Sequence, residues 1–225
     1  MRLADREGLS RNEILSALPE TDLDRLWSHL ELVRIDVGDH LANPSRPVEY
    51  IYFIEKGFAS IMVGSAKSQM EVALIGREGM VGLPVVLGAA YAHHHCYAQV
   101  SGVAQRMTAQ NLRFAMEQIP ALKRQALLYA HAYNAQLAHA AFVNGRCSVG
   151  ERLAGWLLMA QDRLDDNEIP LTQEFFAAML GVRRATVTVA LQKLTEQKMI
   201  EHRRALVIIL NRRKLIATAK EAYAG

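Results

Sequence analysis

The residues best suited to recognition chemistry lie in one run, Leu171-Thr-Gln-Glu-Phe-Phe-Ala-Ala-Met-Leu-Gly-Val-Arg-Arg-Ala-Thr-Val-Thr-Val-Ala-Leu191. Thr172 stands at the N-cap of a helix expected over 173–180. Gly181 supplies the tight turn before a second helix, opened by Arg183 or Arg184 and running to about Gln197. Val187, Leu191 and Leu194 share its apolar face, which leaves Arg184, Thr188, Gln192 and Lys193 outward. Arg, Thr and Gln near the start of such a helix match the donors and acceptors of major-groove base edges. The base-facing candidates are therefore Arg183, Arg184, Thr186, Thr188, Gln192 and Lys193. Thr172 and Gln173 sit where free backbone N–H groups of the first helix would meet phosphates.

Met199–Ile209 follows as two strand-like runs around a basic turn, a β-wing with Arg203 and Arg204 at its tip. A plain helical hairpin shares parts of this pattern. Capping Thr, turn Gly, basic second helix and wing in that order favour a DNA-binding module. Charge points the same way: residues 183–220 hold ten Lys/Arg against Glu196 and Glu201, a net of +8 in a chain whose total is +3. A basic end on a slightly acidic body is the footprint of a nucleic-acid module, though a solvated basic surface would look alike.

Other clusters offer less. His93-His94-His95-Cys96 contains metal-ligating types and is a weak candidate for zinc, copper or haem. Neighbours on a strand face opposite sides, so the run reads better as an exposed polar turn entering a strand, and no metal is expected. Cys96 and Cys147 are the only cysteines and form no C-x-x-C pair, which argues against a disulfide framework and a cysteine zinc site. Cys147 lies at a hinge and is either an oxidation sensor or simply buried. G-x-S-x-G, H-E-x-x-H and P-loop patterns are absent, and GREGMVG reads as a turn between strands; an enzyme is not expected.

The elements that must position the module read as follows. Residues 11–30 form short helices, the first capped by Asn12 and the second by Thr21, with Pro19 between them. Short β-rich runs follow: LELVRIDV, Tyr50–Ile54, Phe58–Val63 after the turn Glu55-Lys56-Gly57, Glu71–Ile75, Cys96–Val100 and Ala104–Thr108. Their spacing suggests an antiparallel barrel or sandwich. A helix over 109–118 precedes Pro120 and a long helix to about Asn144, where Asn144-Gly145 reads as a stop. Ala126, Tyr129, Tyr133, Leu137 and Ala140 share one side of that helix. They form either a dimer seam, made irregular by Gln136, or a face lying on the chain's own barrel. Ser148-Val-Gly-Glu151 is a capping box that starts the next helix.

Barrel, long helix and winged helix-turn-helix together resemble the cyclic-AMP receptor protein and FNR family of bacterial transcription regulators. The motifs are LTQEFFAAMLGVRRATVTVALQKLTEQKMI, YIYFIEKGFASI and GREGMVG, within a likeness from about residue 14 to 216. The resemblance implies an α+β fold: a cyclic-nucleotide-binding-like antiparallel jelly roll over 1–118, a dimerisation helix over 119–145 and a winged helix-turn-helix over 146–225. It also implies a homodimer on a roughly palindromic operator, with double-stranded DNA and RNA polymerase as partners.

Departures matter. Many members carry Arg-Glu-Thr at the start of the recognition helix and a further Arg four residues after the Glu. The matching positions here are Arg184, Ala185, Thr186 and Val189, so a different operator is expected. Cyclic-nucleotide-binding members use Gly-Glu and then Arg-Ser/Thr-Ala. This chain has Gly82-Leu83-Pro84 and a stretch near Tyr91-Ala92-His93. A buried phosphate without a paired cation is costly, so no cofactor and no tight cyclic-AMP binding are expected. The iron–sulfur branch is excluded by the lack of any cysteine before Cys96. The alternative reading is a small-molecule sensor whose winged domain mainly mediates protein contacts. No apolar run approaches the roughly 18 residues of a membrane span, and the polar start MRLADREGLSRNE is unlike a secretory signal, so a cytoplasmic location is expected.

Overall fold

The computed structural model describes residues 10–65 and 68–223. Chain contacts divide it into two compact units, 1–60 with 75–134 and 61–74 with 135–225. The division falls inside the long helix rather than at its ends.

The first unit opens with α1 (Glu13–Ser16) and α2 (Glu20–Trp27). Asn12 caps α1, its Oδ1 accepting from the backbone N–H of Ile14 and Leu15. The side chain is wholly buried, and its Nδ2 donates to the carbonyls of Ile54 and Gly79 at 3.1 and 2.8 Å. Glu55 accepts from Ser10 Oγ and from the backbone N–H of Arg11 and Asn12. These bonds pin the segment and satisfy polar groups that would otherwise be costly to bury. Thr21 does not cap α2. The helix starts two residues earlier than that cap would set, with Pro19 at the N-cap, so Thr21 lies within the first turn.

β1 (Glu31–Ile35), β2 (His40–Ala42), β3 (Tyr50–Ser65), β4 (Ser68–Ile75), β5 (Met80–Val81) and β6 (His95–Thr108) form a six-stranded sheet in the order β1-β6-β3-β4, with β2 also on β6 and β5 on β3. The β1, β2 and β5 pairings are antiparallel, the class expected. Two strands are longer than their sequence suggests. Gly57, read as a turn, lies inside β3 at φ 80°, where a Cβ would come within 2.6 Å of the Val100 carbonyl oxygen. It bends the strand without ending it. The runs Cys96–Val100 and Ala104–Thr108 are both parts of β6.

After the short α3 (Leu83–Val86), α4 (Ala109–Gln118) and α5 (Pro120–Arg146) close the unit's core. Leu15, Leu26, Ile51, Phe53, Met80, Leu112, Leu122 and Ala126 pack there with almost no exposure. Each such large side chain stabilises the fold by about 1.5–3 kcal/mol before entropy is counted. α5 runs through Asn144-Gly145 to Arg146, so that pair is not a helix stop.

The second unit holds α6 (Val149–Leu164), β7 (Glu168–Ile169), α7 (Gln173–Leu180), α8 (Arg184–Glu196), β8 (Ile200–Arg203), β9 (Leu206–Ile209) and α9 (Arg212–Ala219), together with the last residues of β3 and most of β4. The capping box forms as expected: Ser148 Oγ accepts from the Glu151 backbone N–H, and Glu151 Oε2 accepts from the Ser148 N–H at 2.8 Å. Leu153, Leu157, Phe176, Leu191, Ile200, Val207 and Leu215 make the core. β7, β9 and β8 form a small antiparallel sheet in that order. No helix among the described residues is long and apolar enough to cross a membrane.

Candidate nucleic-acid interface

α7, α8 and the wing are built from local signals. Thr172 Oγ1 accepts from the Phe175 N–H at 3.2 Å and fixes the start of α7. Gly181 ends it at φ 63°, ψ 35°, a left-handed conformation that costs glycine little. The chain then re-enters helix with Arg183 in the N-cap position and Arg184 as the first residue of α8.

Packing sets the faces of α8. Val187, Leu191 and Leu194 are buried at 0%, 1% and 3% exposure. Arg183, Arg184, Thr186, Thr188, Gln192 and Lys193 are all exposed, together with Ala185 and Val189. Thr188 Oγ1 donates to the Arg184 carbonyl at 3.1 Å, and Gln192 Nε2 donates to Glu196 Oε1 at 2.9 Å. Thr172 is exposed beside this helix pair; the side chain of Gln173 lies outside the described residues. In the wing, β8 and β9 meet at Arg204-Ala205, with Ala205 at φ 57°. Arg203 and Arg204 are exposed, and Arg203 Nε is held at 2.6 Å by Glu201.

The long helix corrects one expectation. Ala126 is fully covered by the first unit's own core, and Tyr129 and Tyr133 pack against that core. Burial pushes the Tyr129 phenol up and that of Tyr133 up to about 12. Ala126 therefore cannot line a seam with another chain, and the two tyrosines are committed to their own barrel. Ala140 lines a cavity of about 80 Å³ in the second unit, and Leu137 is half-buried. The exposed residues of α5 include Leu128 (51%), His131, Ala135, Ala138 and Phe142 (44%). Both sides of this alanine-rich helix carry apolar residues, so periodicity alone does not separate the side that packs on the chain's own core from the exposed one.

In the effector region, Gly82 caps α3 at φ 102°, and Leu83, Val85, Val86, Ala92 and Cys96 are all buried. His93 and His94 are exposed on a bend, while His95 begins β6 and stacks on Tyr97 with ring centroids 5.7 Å apart. Burial raises the Cys96 thiol far above its ordinary range. Cys147 is half-buried between α5 and α6; burial, then the Glu151 carboxylate, raise its thiol and disfavour the reactive thiolate.

The Crp-like helix-turn-helix domain model matches residues 151–218. No curated protein sequence matches the chain. Solved structures match nearly all of it. A Crp/Fnr-family regulator from Eubacterium rectale superposes with TM-score 0.72 at 14% identity, covering 93% of this chain and 99% of that one. FixK2 from Bradyrhizobium japonicum gives 0.72 at 17% identity over 87% and 98%. CLP from Xanthomonas campestris, a c-di-GMP-responsive global regulator, gives 0.69 at 13% identity over 85% and 99%. The chain therefore shares its fold with these structures, and residues 151–218 match the Crp-like helix-turn-helix domain model.

The sequence locates the module and marks Ala185 and Val189 on its second helix only as departures from the resembled family, not as exposed apolar surface. Their signal was present in the helical period, which sets them opposite the buried triad.

Proposed function

We propose that this Crp/Fnr-like chain is a homodimeric transcription regulator that reads an inverted-repeat duplex with α8. One observation carries the reading: Arg183, Arg184, Thr186, Thr188, Gln192 and Lys193 all stand exposed on a helix whose other face is fully buried, inside the segment matched to the Crp-like domain. Arg184 is the base-reading cation. Thr172, Gln173 and the free N–H groups at the start of α7, with Arg203 and Arg204 of the wing, take phosphates.

The partner copy is a second chain seated along α5. Leu128, His131, Ala135, Ala138 and Phe142 follow one another at alternating spacings of three and four, the heptad of a helix seam. Small residues in the middle allow close approach. A two-fold dimer then presents two copies of α8 to half-sites about one helical turn, roughly 34–36 Å, apart. RNA polymerase is the further partner that such a regulator engages.

The effector is not a cyclic nucleotide held in the manner of the cyclic-AMP receptor. Gly82-Leu83-Pro84 and Tyr91-Ala92-His93 place no carboxylate for a ribose and no arginine for a phosphate. Calorimetry with cyclic AMP and cyclic GMP is expected to give no micromolar binding, and such binding would contradict this part of the reading.

Selection from a random duplex library followed by mobility shift tests the whole. Enrichment of an inverted repeat, bound with a steep loss between low and moderate salt, is expected. No enrichment, or binding indifferent to salt, contradicts it.

A further inference from the structure

The centre of the outward face of α8 is apolar. Val189 is 66% exposed, the highest value among the large exposed hydrophobic side chains of the described residues. At 3.6 residues per turn it lies roughly 170° round the helix from the mean direction of Val187, Leu191 and Leu194. Ala185, one turn earlier on the same side, is also exposed.

The polar side chains around them are engaged within the helix. The Thr188 hydroxyl donates to the Arg184 carbonyl, and the Gln192 amide donates to Glu196. Arg184 and Lys193, by contrast, take no ion pair among the described residues. Lys193, one turn after Val189, stands on the same side as the apolar patch made by Ala185 and Val189, and Arg184 opens the helix from its flank. An exposed β-branched residue weakens a helix slightly and leaves apolar surface in water, so the fold gains nothing from Val189 at this place.

Among groups on base edges in the major groove, the thymine C5-methyl is the apolar one. We propose that Val189, with Ala185 beside it, is a specificity-determining residue that packs on a thymine methyl in each half-site. The inference rests on the reading of α8 as the base-reading helix. Lys193 beside the contact and Arg184 at the start of the helix hold it in the groove.

The test uses the full chain and the duplexes it enriches from a random library. Each thymine is replaced in turn by deoxyuridine, which lacks only the methyl group. One position per half-site is expected to weaken wild-type binding roughly 4-fold, the factor carried by one buried CH2-sized group. Val189→Ala is expected to bind the thymine and deoxyuridine duplexes alike, with an unchanged salt slope and an unchanged melting temperature. A flat deoxyuridine series for the wild type overturns the inference, and is the result expected if a protein partner, rather than DNA, covers this face. A sensitivity that persists in Val189→Ala overturns it as well. Failure to enrich any duplex is distinguishable from both, because it contradicts the base-reading account itself and the thymine contact with it.

Discussion

Trp156 donates its indole N–H to the carboxylate of Glu71 at 2.5 Å, with both residues buried. The bond joins α6 to the strand that returns from the hairpin tip, and Gln136 Nε2 adds a second tie to the Leu74 carbonyl at 3.3 Å. The indole also meets the rings of Phe175 and Phe176 at centroid distances of 5.7 and 5.5 Å. One side chain thus supports α7 from behind while giving one oxygen of a buried acid a donor. Trp156→Phe keeps most of the ring packing and removes the donor. It should lower unfolding stability by about 1–3 kcal/mol, the cost of a buried group left without its partner. Urea unfolding followed by circular dichroism measures this, and an unchanged midpoint would show that the bond carries no net stability.

Gly79 faces Tyr129 so closely that a Cβ there would come within 2.5 Å of the ring. Gly79→Ala should cost about 1–3 kcal/mol through overpacking. Tyr129→Ala in the same chain should remove most of that added cost, since the two residues are in contact. Calorimetric melting of the two single variants and the double variant reads the coupling; strict additivity would be the contrary result.

At the start of α6, Glu151 is drawn down to about 2, first by the Lys220 ammonium at 2.7 Å and then by its capping bonds from Ser148. A carboxylate depressed in the folded state contributes stability that is present above its ordinary value of 4.5 and is lost as pH falls toward about 2. NMR titration should find this depressed value, and Lys220→Met should raise it. A Glu151 titrating at its ordinary value in the intact chain would contradict the assignment.

The wing should contribute position without sequence. Arg204→Ala is expected to weaken binding about equally on selected and unrelated duplexes, and to reduce the slope of log affinity against log salt by about 0.9 for the lost phosphate contact. Equilibrium binding across a salt series measures both. A loss confined to the selected duplex would place Arg204 on a base instead.

The module was legible because its signals are local. Thr172 and Gly181 each act on the backbone beside them, and Ser148 with Glu151 does the same at α6. What long-range contact decides was not legible. Gly57 has the look of a turn, yet the neighbouring strand carries β3 through it. Asn144-Gly145 has the look of a stop, yet α5 continues past it. On α5 the apolar residues occur on more than one side, and only the barrel's position reveals that Ala126, Tyr129 and Tyr133 are spent on their own core. In the sequence Val189 marks only the place where the resembled family carries a second Arg, and the burial of Val187, Leu191 and Leu194 shows in addition that its apolar side chain faces out.

The central claim is that α8 reads bases, and Arg184 tests it most directly. Arg184 is exposed and takes no ion pair among the described residues, so Arg184→Ala should leave the fold intact. Fluorescence anisotropy with the selected duplex and an unrelated one should show the variant losing about 1–3 kcal/mol on the selected duplex and much less on the other. Wild-type affinity and unchanged sequence preference in Arg184→Ala would contradict the account.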